Sequence, residues 1–344
     1  MDEGYPRQYL KITEKSSRFI KTGAFWCKNA PSGFFAVDKN PRDGLIESSE
    51  GGDYMAVYIE KFVLPSEGQE SGVLFSENRT CFSSFYPFRI FPQKEFQKAE
   101  FSPVTIFYGG NGSGKSTMLN LIAEKAGLKR FSAFGKSAFF EKYLGFCKIE
   151  YREKITEESS ILSSDDVFDY LLDIRNINNG IDLRREELFR DFSERKWTES
   201  RLRSMEDYHD WKESYDAKRK TQSKFVKDRL MKNVEMFSNG ESALKYFVDK
   251  IDKKGVYLLD EPENSLSISL QLEFMEYLEN SARFFGCQFI IASHSPVFLS
   301  IPGAKIYDLD SVPVKTKKWT ELENVRKFRD FFKAHESEFE DPED

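Results

Sequence analysis

The sequence predicts an α/β fold: an open sheet flanked by helices, an antiparallel β-layer ahead of it and a helical insertion within it. Three observations predict it. Gly109-Gly110-Asn111-Gly112-Ser113-Gly114-Lys115-Ser116-Thr117 satisfies the phosphate-loop spacing G-x-x-x-x-G-K-[ST]. It lies between an apolar, β-branched run, Pro103-Val-Thr-Ile-Phe-Tyr108, and a helical pattern from Thr117 to Lys125 that stops at Gly127. Far downstream, two more buried strands end in polar residues. Gly255-Val-Tyr-Leu-Leu ends in Asp260 and Glu261, and Cys287-Gln-Phe-Ile-Ile-Ala-Ser ends in His294.

Along the chain, residues 1–53 are polar and turn-rich, an arm with few core positions. Strand character begins at Tyr54-Met-Ala-Val-Tyr-Ile-Glu-Lys-Phe62. A hairpin-like pair, Gly72-Val-Leu-Phe75 and Phe85-Tyr-Pro-Phe-Arg-Ile-Phe91, leads to the glycine turn. Tyr86 and Phe88 read as core aromatics or as a platform for a base. In the turn itself, glycines let backbone N–H groups wrap phosphates at a helix N-terminus. Lys115 would neutralise the β- and γ-phosphates, and the Ser116 hydroxyl would complete a Mg²⁺ shell. Asp260 is placed to hold Mg²⁺ through water, and Glu261 to orient or deprotonate the attacking water. His294, leaving a neighbouring strand tip, is a candidate γ-phosphate sensor. Ser238-Asn239-Gly240-Glu241 reads as a helix N-cap before an amphipathic helix from Ser242 to Lys250.

The order of these motifs resembles the ABC-type ATPases, and Ser238-Asn239-Gly240-Glu241 stands where those proteins carry their signature. The chain looks less like the transporter branch than the soluble SMC, RecF and OLD branch. It is similar to small bacterial stand-alone predicted ATPases of the AAA type. These share Gly240-Glu241-Ser242, Leu258-Leu-Asp-Glu-Pro-Glu263 and a histidine strand followed by Ser295-Pro296. The resemblance implies an ABC-ATPase-like P-loop fold that binds ATP and Mg²⁺ and hydrolyses ATP, with Lys115, Glu261 and His294 as catalytic residues. It also implies a composite site. Residues 109–117 of one subunit would meet Ser238, Asn239, Gly240 and Glu241 of another, with Asn264-Ser-Leu-Ser267 crossing the interface. ATP would then close a homodimer. Five segments result: the arm 1–53, the first part of the core 54–127, the insertion 128–236, the second part of the core 237–313, and a C-terminal helix with acidic tail 314–344.

There are departures from the pattern. No glutamine occurs between residues 118 and 221, where such proteins place one near Mg²⁺. Ser164 or Asp165 would take that role, or the segment caps the helix that follows it. Ser267 replaces a usual aspartate and Asn239 a usual glycine. The insertion reads as two or more amphipathic helices with spaced aromatics such as Trp197, Trp211 and Tyr215, and Leu202 and Met205 between. Its basic run, including Lys218, Arg219, Lys220, Lys224 and Arg229, is either a solvated face or a groove for nucleic acid or an acidic partner.

With 51 Lys and Arg against 57 Asp and Glu, the chain has no overall nucleic-acid footprint. Its four cysteines, Cys27, Cys81, Cys147 and Cys287, have no metal spacing, and no apolar run would span a membrane. These point to a cytoplasmic protein. Three functional readings stand. The first is an ATP-gated dimer that regulates a separate effector, a nuclease, in defence against phage. The second is a RecF- or SMC-like repair ATPase that clamps DNA directly. The third is the motor subunit of an ABC transporter.

Overall fold

The structure, a computed structural model, describes residues 55–77, 81–82, 84–198, 204–235 and 237–339. The expected N-terminal arm, Cys27, Leu202 and residues 340–344 lie outside the described residues. Among the described residues nine strands are formed: β1 Ile59–Val63, β2 Lys98–Glu100, β3 Val104–Tyr108, β4 Lys148–Tyr151, β5 Ser160–Ser163, β6 Gly255–Asp260, β7 Cys287–Ala292, β8 Lys305–Asp308 and β9 Lys315–Thr316. The helices are α1 Glu67–Ser76, α2 Lys115–Ala126, α3 Phe140–Phe146, α4 Ser164–Trp197, α5 Tyr208–Arg219, α6 Gln222–Lys227, α7 Asn239–Lys250, α8 Ile268–Phe284, α9 Pro296–Leu299 and α10 Glu323–Ala334.

The described residues cluster into two compact units. The larger is formed by 52–176 and 236–344; the described part of the other is 177–235. In the larger unit a six-stranded sheet runs β5-β6-β7-β3-β8-β9, parallel throughout except for β9. β3 and β7 are buried at every position, as a parallel sheet covered on both faces requires. Side-chain alternation sends Val256, Leu258 and Ile290 to one face and Tyr257, Leu259 and Ile291 to the other. The first face packs on α2, through Met118, Leu119 and Ile122, and on Ile59 and Phe62 of an antiparallel layer ordered β2-β1-β4. Phe247 of α7 and Phe274 of α8 pack on the second.

One polar side chain fastens the layer to the sheet. Gln288, fully buried in β7, accepts from the backbone N–H groups of Tyr58 and Ile59, both at 2.9 Å. Its amide nitrogen donates to the carbonyls of Ile59 at 2.9 Å and Ser102 at 3.3 Å. The amide thereby ties in backbone groups at the start of β1 that burial would otherwise leave unmatched.

The expected antiparallel layer exists, but not as the hairpin read from the sequence. Gly72-Val-Leu-Phe75 is helical, part of α1. Ser66 and Gln69 form a reciprocal capping box there, with Glu67 and Glu70 in the first turn, and these local signals override the short apolar run. The segment Phe85–Phe91 contains turns rather than a strand. Between residues 128 and 176 the chain forms α3, β4, β5 and the first turns of α4, and these cluster with the larger unit. Residues 177–235 form helices around a small core of Leu188, Phe192, Ala217, Phe225 and Val226, with Trp211 stacked on Tyr215 at 5.3 Å. The expected helices form, but the spaced residues read from the sequence do not make their core: Trp197, Met205 and Tyr215 are exposed.

Gln288→Leu keeps the side-chain volume but strips the start of β1 of these partners. It should lower unfolding stability by about 3 kcal/mol, the sum expected for several buried unsatisfied backbone groups. Urea unfolding followed by circular dichroism measures it, and an unchanged midpoint would mean the layer is held by packing alone.

Candidate active site

The phosphate loop joins β3 to α2. Two of its glycines are demanded by space and conformation. A Cβ on Gly109 would lie 2.5 Å from Ser113 Oγ, and Gly114 sits at φ +99° with Ile90 and Phe91 against it. The Ser113 hydroxyl is buried and has no hydrogen-bond partner. Lys115, 4% exposed, turns its ammonium inward, donating to the carbonyls of Gly109 at 2.8 Å and Gly110 at 3.2 Å. The same nitrogen lies 3.2 Å from Glu261 Oε1. Ser116 Oγ donates to Asp260 Oδ1 at 3.0 Å. The structure therefore brings Lys115, Ser116, Asp260 and Glu261 together from two elements 144 residues apart in sequence.

The two acids differ in environment. Desolvation raises the Asp260 carboxyl to about 6, opposed by the bond from Ser116 and reinforced by the nearby charge of Glu261. Glu261 is held below the usual carboxylate range. Burial works against that, but the bonds from Asn264, at 3.0 Å, and from Lys115 prevail. Its backbone is left-handed, at φ +48°, where a β-carbon is strained. The buried thiols of Cys147 and Cys287 are pushed up by desolvation to about 12 and about 11, and so stay protonated and inert.

His294 follows β7, its side chain 42% exposed, with Nδ1 3.3 Å from Glu263 Oε1. Ser238 caps α7 and forms a capping box with Glu241; the Ser238 hydroxyl donates to Glu241 Oε2 at 2.7 Å and accepts from the Glu241 N–H. Asn239 Oδ1 accepts from Arg175 at 3.0 Å, and Gly240 packs against Leu270 and the Ser265 carbonyl. Among the described residues, the hydrogen bonds of these side chains run within the segment and to Arg175, not to the phosphate loop. Ser163 of β5 is in register with Asp260 of β6, so the segment carrying Ser164 and Asp165 starts beside the acidic end of β6. The capping reading is realised one residue away, where the Ser163 N–H and hydroxyl donate to buried Asp166. Asp165 is exposed. Phe88 is core, against Phe139 and Tyr143, whereas the Tyr86 hydroxyl donates to Thr117 Oγ1 at 3.1 Å beside the phosphate loop.

Three residues that sequence reasoning did not single out shape the loop and its surroundings. Asp310 Oδ2 accepts from the Gly110 N–H at 2.8 Å, and Lys94 donates to the carbonyls of Ser113 at 2.8 Å and Leu309 at 2.6 Å. Desolvation lowers the Lys94 pKa. Glu263 gathers the histidine loop. Of the three, only Glu263 sits inside a motif visible in the sequence. In the insertion, Lys220 pairs with Asp216 and Asp228, Arg229 pairs with Asp216, and Arg219 stacks on Tyr215. Much of the basic run is thus matched within the insertion.

The residues present fit a nucleoside triphosphate with Mg²⁺. The unpartnered buried Ser113 hydroxyl and the helix N-terminus suit phosphate. The Ser116 hydroxyl and the Asp260 carboxylate are hard oxygen donors of the kind Mg²⁺ takes. Bound there, the ion would neutralise charge on the β- and γ-phosphates. No helix among the described residues is long and apolar enough to cross a membrane.

Comparison with known proteins gives two family matches. Residues 98–264 match the family described as ABC transporter, and residues 235–300 match "AAA domain, putative AbiEii toxin, Type IV TA system". No curated protein matches the sequence. Similar solved structures include the Smc head domain of Pyrococcus furiosus bound to the C-terminal domain of ScpA, at 14% identity and a TM-score of 0.37, covering 80% of this chain and 99% of that one. The SMC head domain from Thermotoga maritima has 15% identity and a TM-score of 0.35, with coverage of 76% and 98%. CbiO1 of Clostridium perfringens, part of the ABC transporter complex cbiONQ, has 17% identity and a TM-score of 0.32, with coverage of 70% and 87%. The family matches and the site geometry, rather than these distant likenesses, carry the conclusion.

Lys115→Ala should abolish nucleotide binding, read as loss of the thermal shift on adding Mg-ATP. Asp260→Asn tests the desolvated acid. A carboxyl raised to about 6 stabilises the fold only while protonated, so that stability is full below about 3.9 and lost as pH rises through 6. At pH 8 the nucleotide-free Asp260→Asn protein should therefore melt a few degrees above wild type, while its response to Mg-ATP is lost; a lower melting temperature would refute the desolvation argument. Phosphate cradle, metal donors and placed carboxylate are the parts that ATP hydrolysis needs, residues 98–264 match the family described as ABC transporter, and the chain is an ATPase.

Proposed function

We propose that the ATPase works as an ATP-dependent homodimer that regulates a separate effector, a nuclease, in bacterial defence against phage. The observation that carries the dimer is the position of Ser238-Asn239-Gly240-Glu241. This N-terminus of α7 is largely solvent-exposed, and its hydrogen bonds run to itself and to Arg175 rather than to the phosphate loop. A helix N-terminus offered to solvent beside the D-loop segment 264–267 suits a phosphate held by a second copy. Ile268 and Leu272, 70% and 49% exposed, extend the same region with apolar surface that a partner copy would cover.

In the closed dimer, Lys115, Ser116 and Asp260 of one subunit hold the triphosphate and Mg²⁺. Ser238 and Gly240 of the other contact the γ-phosphate, and His294 senses it. Glu261 orients the attacking water. ATP contacts both subunits only when they are closed, so it shifts that equilibrium and hydrolysis releases it. The family described as "AAA domain, putative AbiEii toxin, Type IV TA system" supports a defence role. So does the chemistry, since the described site provides for nucleotide hydrolysis and leaves effector chemistry to another polypeptide. The pairing of Lys220 and Arg229 within the insertion weighs against direct clamping of DNA.

Glu261→Gln should keep nucleotide affinity and lower turnover by roughly 10²-fold or more, the size expected for a general base. With Mg-ATP this variant should accumulate as an even-numbered assembly in native mass spectrometry. Co-expression with neighbouring genes should bring down a nuclease polypeptide. A monomer indifferent to ATP would overturn the composite site, and equal hydrolysis by the variant would remove Glu261 from its role.

A further inference from the structure

Two residues beyond Glu261 stands a second acid with unusual surroundings. Glu263 has a side chain only 5% exposed, and one of its oxygens does nearly all the work. Oε1 accepts from Ser293 Oγ at 2.8 Å, from the His294 N–H at 2.8 Å and from the Ser295 N–H at 3.3 Å. It also lies 3.3 Å from His294 Nδ1. Oε2 is buried without a hydrogen-bond partner. A buried carboxylate with one oxygen unmatched is costly for the fold, and such groups need a reason. If stability alone were served, a glutamine, which keeps an accepting oxygen without a buried charge, would do as well.

The network continues away from the histidine. Ser295 Oγ donates to Gln271 Oε1 at 2.7 Å, and Gln271 Nε2 donates to the carbonyl of Leu266 at 2.9 Å. Leu266 belongs to the segment 264–267, whose Asn264 holds Glu261. The histidine loop and the D-loop are therefore joined through buried side chains, with Glu263 at the junction.

We propose that Glu263 is the positioning residue of His294: by gathering three successive residues of the loop onto one oxygen it holds the imidazole with its Nδ1 proton directed at the carboxylate and leaves Nε2 for the nucleotide. A histidine's free nitrogen is set by the bond its other nitrogen makes, so the anchor decides which atom meets the γ-phosphate. Through Ser295 and Gln271 the same anchor makes the histidine and the D-loop move together. This role rests on the ATPase reading above, but its first test does not require nucleotide.

The protein has three histidines, so long-range ¹H–¹⁵N spectra of the full chain labelled at histidine resolve the tautomer of each, with His294→Ala identifying its signal. The spectra are taken without nucleotide, well above the usual histidine pKa. In wild type His294 should carry its proton on Nδ1. Glu263→Ala should redistribute it towards Nε2, and Glu263→Gln, which keeps the accepting oxygen, should restore the wild-type pattern. In turnover, Glu263→Ala should lower kcat by about 10-fold, the lower end for loss of an orienting partner, with KM nearly unchanged. Glu263→Ala combined with His294→Ala should be no slower than His294→Ala alone. A proton on Nε2 in wild type, which needs no variant to fold, would overturn the proposal. So would an unchanged tautomer in Glu263→Ala, or additive losses in the double variant. A tautomer that shifts as expected in a protein that proves unable to hydrolyse ATP would keep the anchor and discard the catalytic reading instead.

Discussion

The amide of Gln288 places a polar group near the start of an apolar parallel strand, and the antiparallel layer is held where that group can reach. Its hydrogen bonds satisfy backbone groups on the layer side that no ladder partner serves, so β1 cannot slide along β7 without stranding them. The rest of the nucleotide side follows from that spacing. With β1 fixed, Ile59 and Phe62 press on the sheet face that also receives α2. Ile90 and Phe91 close on Gly114 from the same side. The loop that wraps phosphate is thus shaped from outside by residues whose distance from the sheet a single side chain sets.

The chemistry of the site was legible in the sequence because its parts are contiguous. A phosphate loop needs glycines, lysine and a hydroxyl at fixed spacing on one turn, and a strand ending in Asp260 and Glu261 announces itself. Legibility failed where function depends on partners distant in the chain. Asp310 meets Gly110 across 200 positions, and neither residue carries a local signal of the contact. Gln288 has no local signal of its role either, since only the arrival of β1 explains it. The hairpin expectation failed for another reason: residues 72–75 have strand-like composition, but Ser66 and Gln69 start a helix that runs through them. The capping box at Ser238 was visible, and so was the family motif on the same residues. Both readings fit the same atoms, because a helix N-terminus that caps itself is also one that can face an anion.

The acids of the site show where stability has been given up. Asp260 is more easily protonated than a solvated aspartate, Glu261 sits in a backbone conformation that β-carbons avoid, and Glu263 hides an unmatched oxygen. Each opposes folding locally, and all three fall within the four positions 260–263. The hydrophobic faces of β6 and β7, buried along their length, tolerate them. A site that gathers three buried or half-buried acids gains when a cation and a Lys115-bound phosphate chain arrive, so binding tightens the same segment that the free protein strains.

The order of strands also has a consequence for how the chain comes to be folded in a cell. β3, which presents the phosphate loop, lies between β7 and β8, and both neighbours are encoded about 180 residues or more after it. While the protein is being made, the loop and its strand leave the ribosome long before either flank exists, so the apolar edge of β3 stays open through the synthesis of the whole insertion. Nucleotide therefore cannot assist the early chain. The insertion, whose contacts are local, is free to fold first, and the ATP site is completed only after β7 and β8 have followed it.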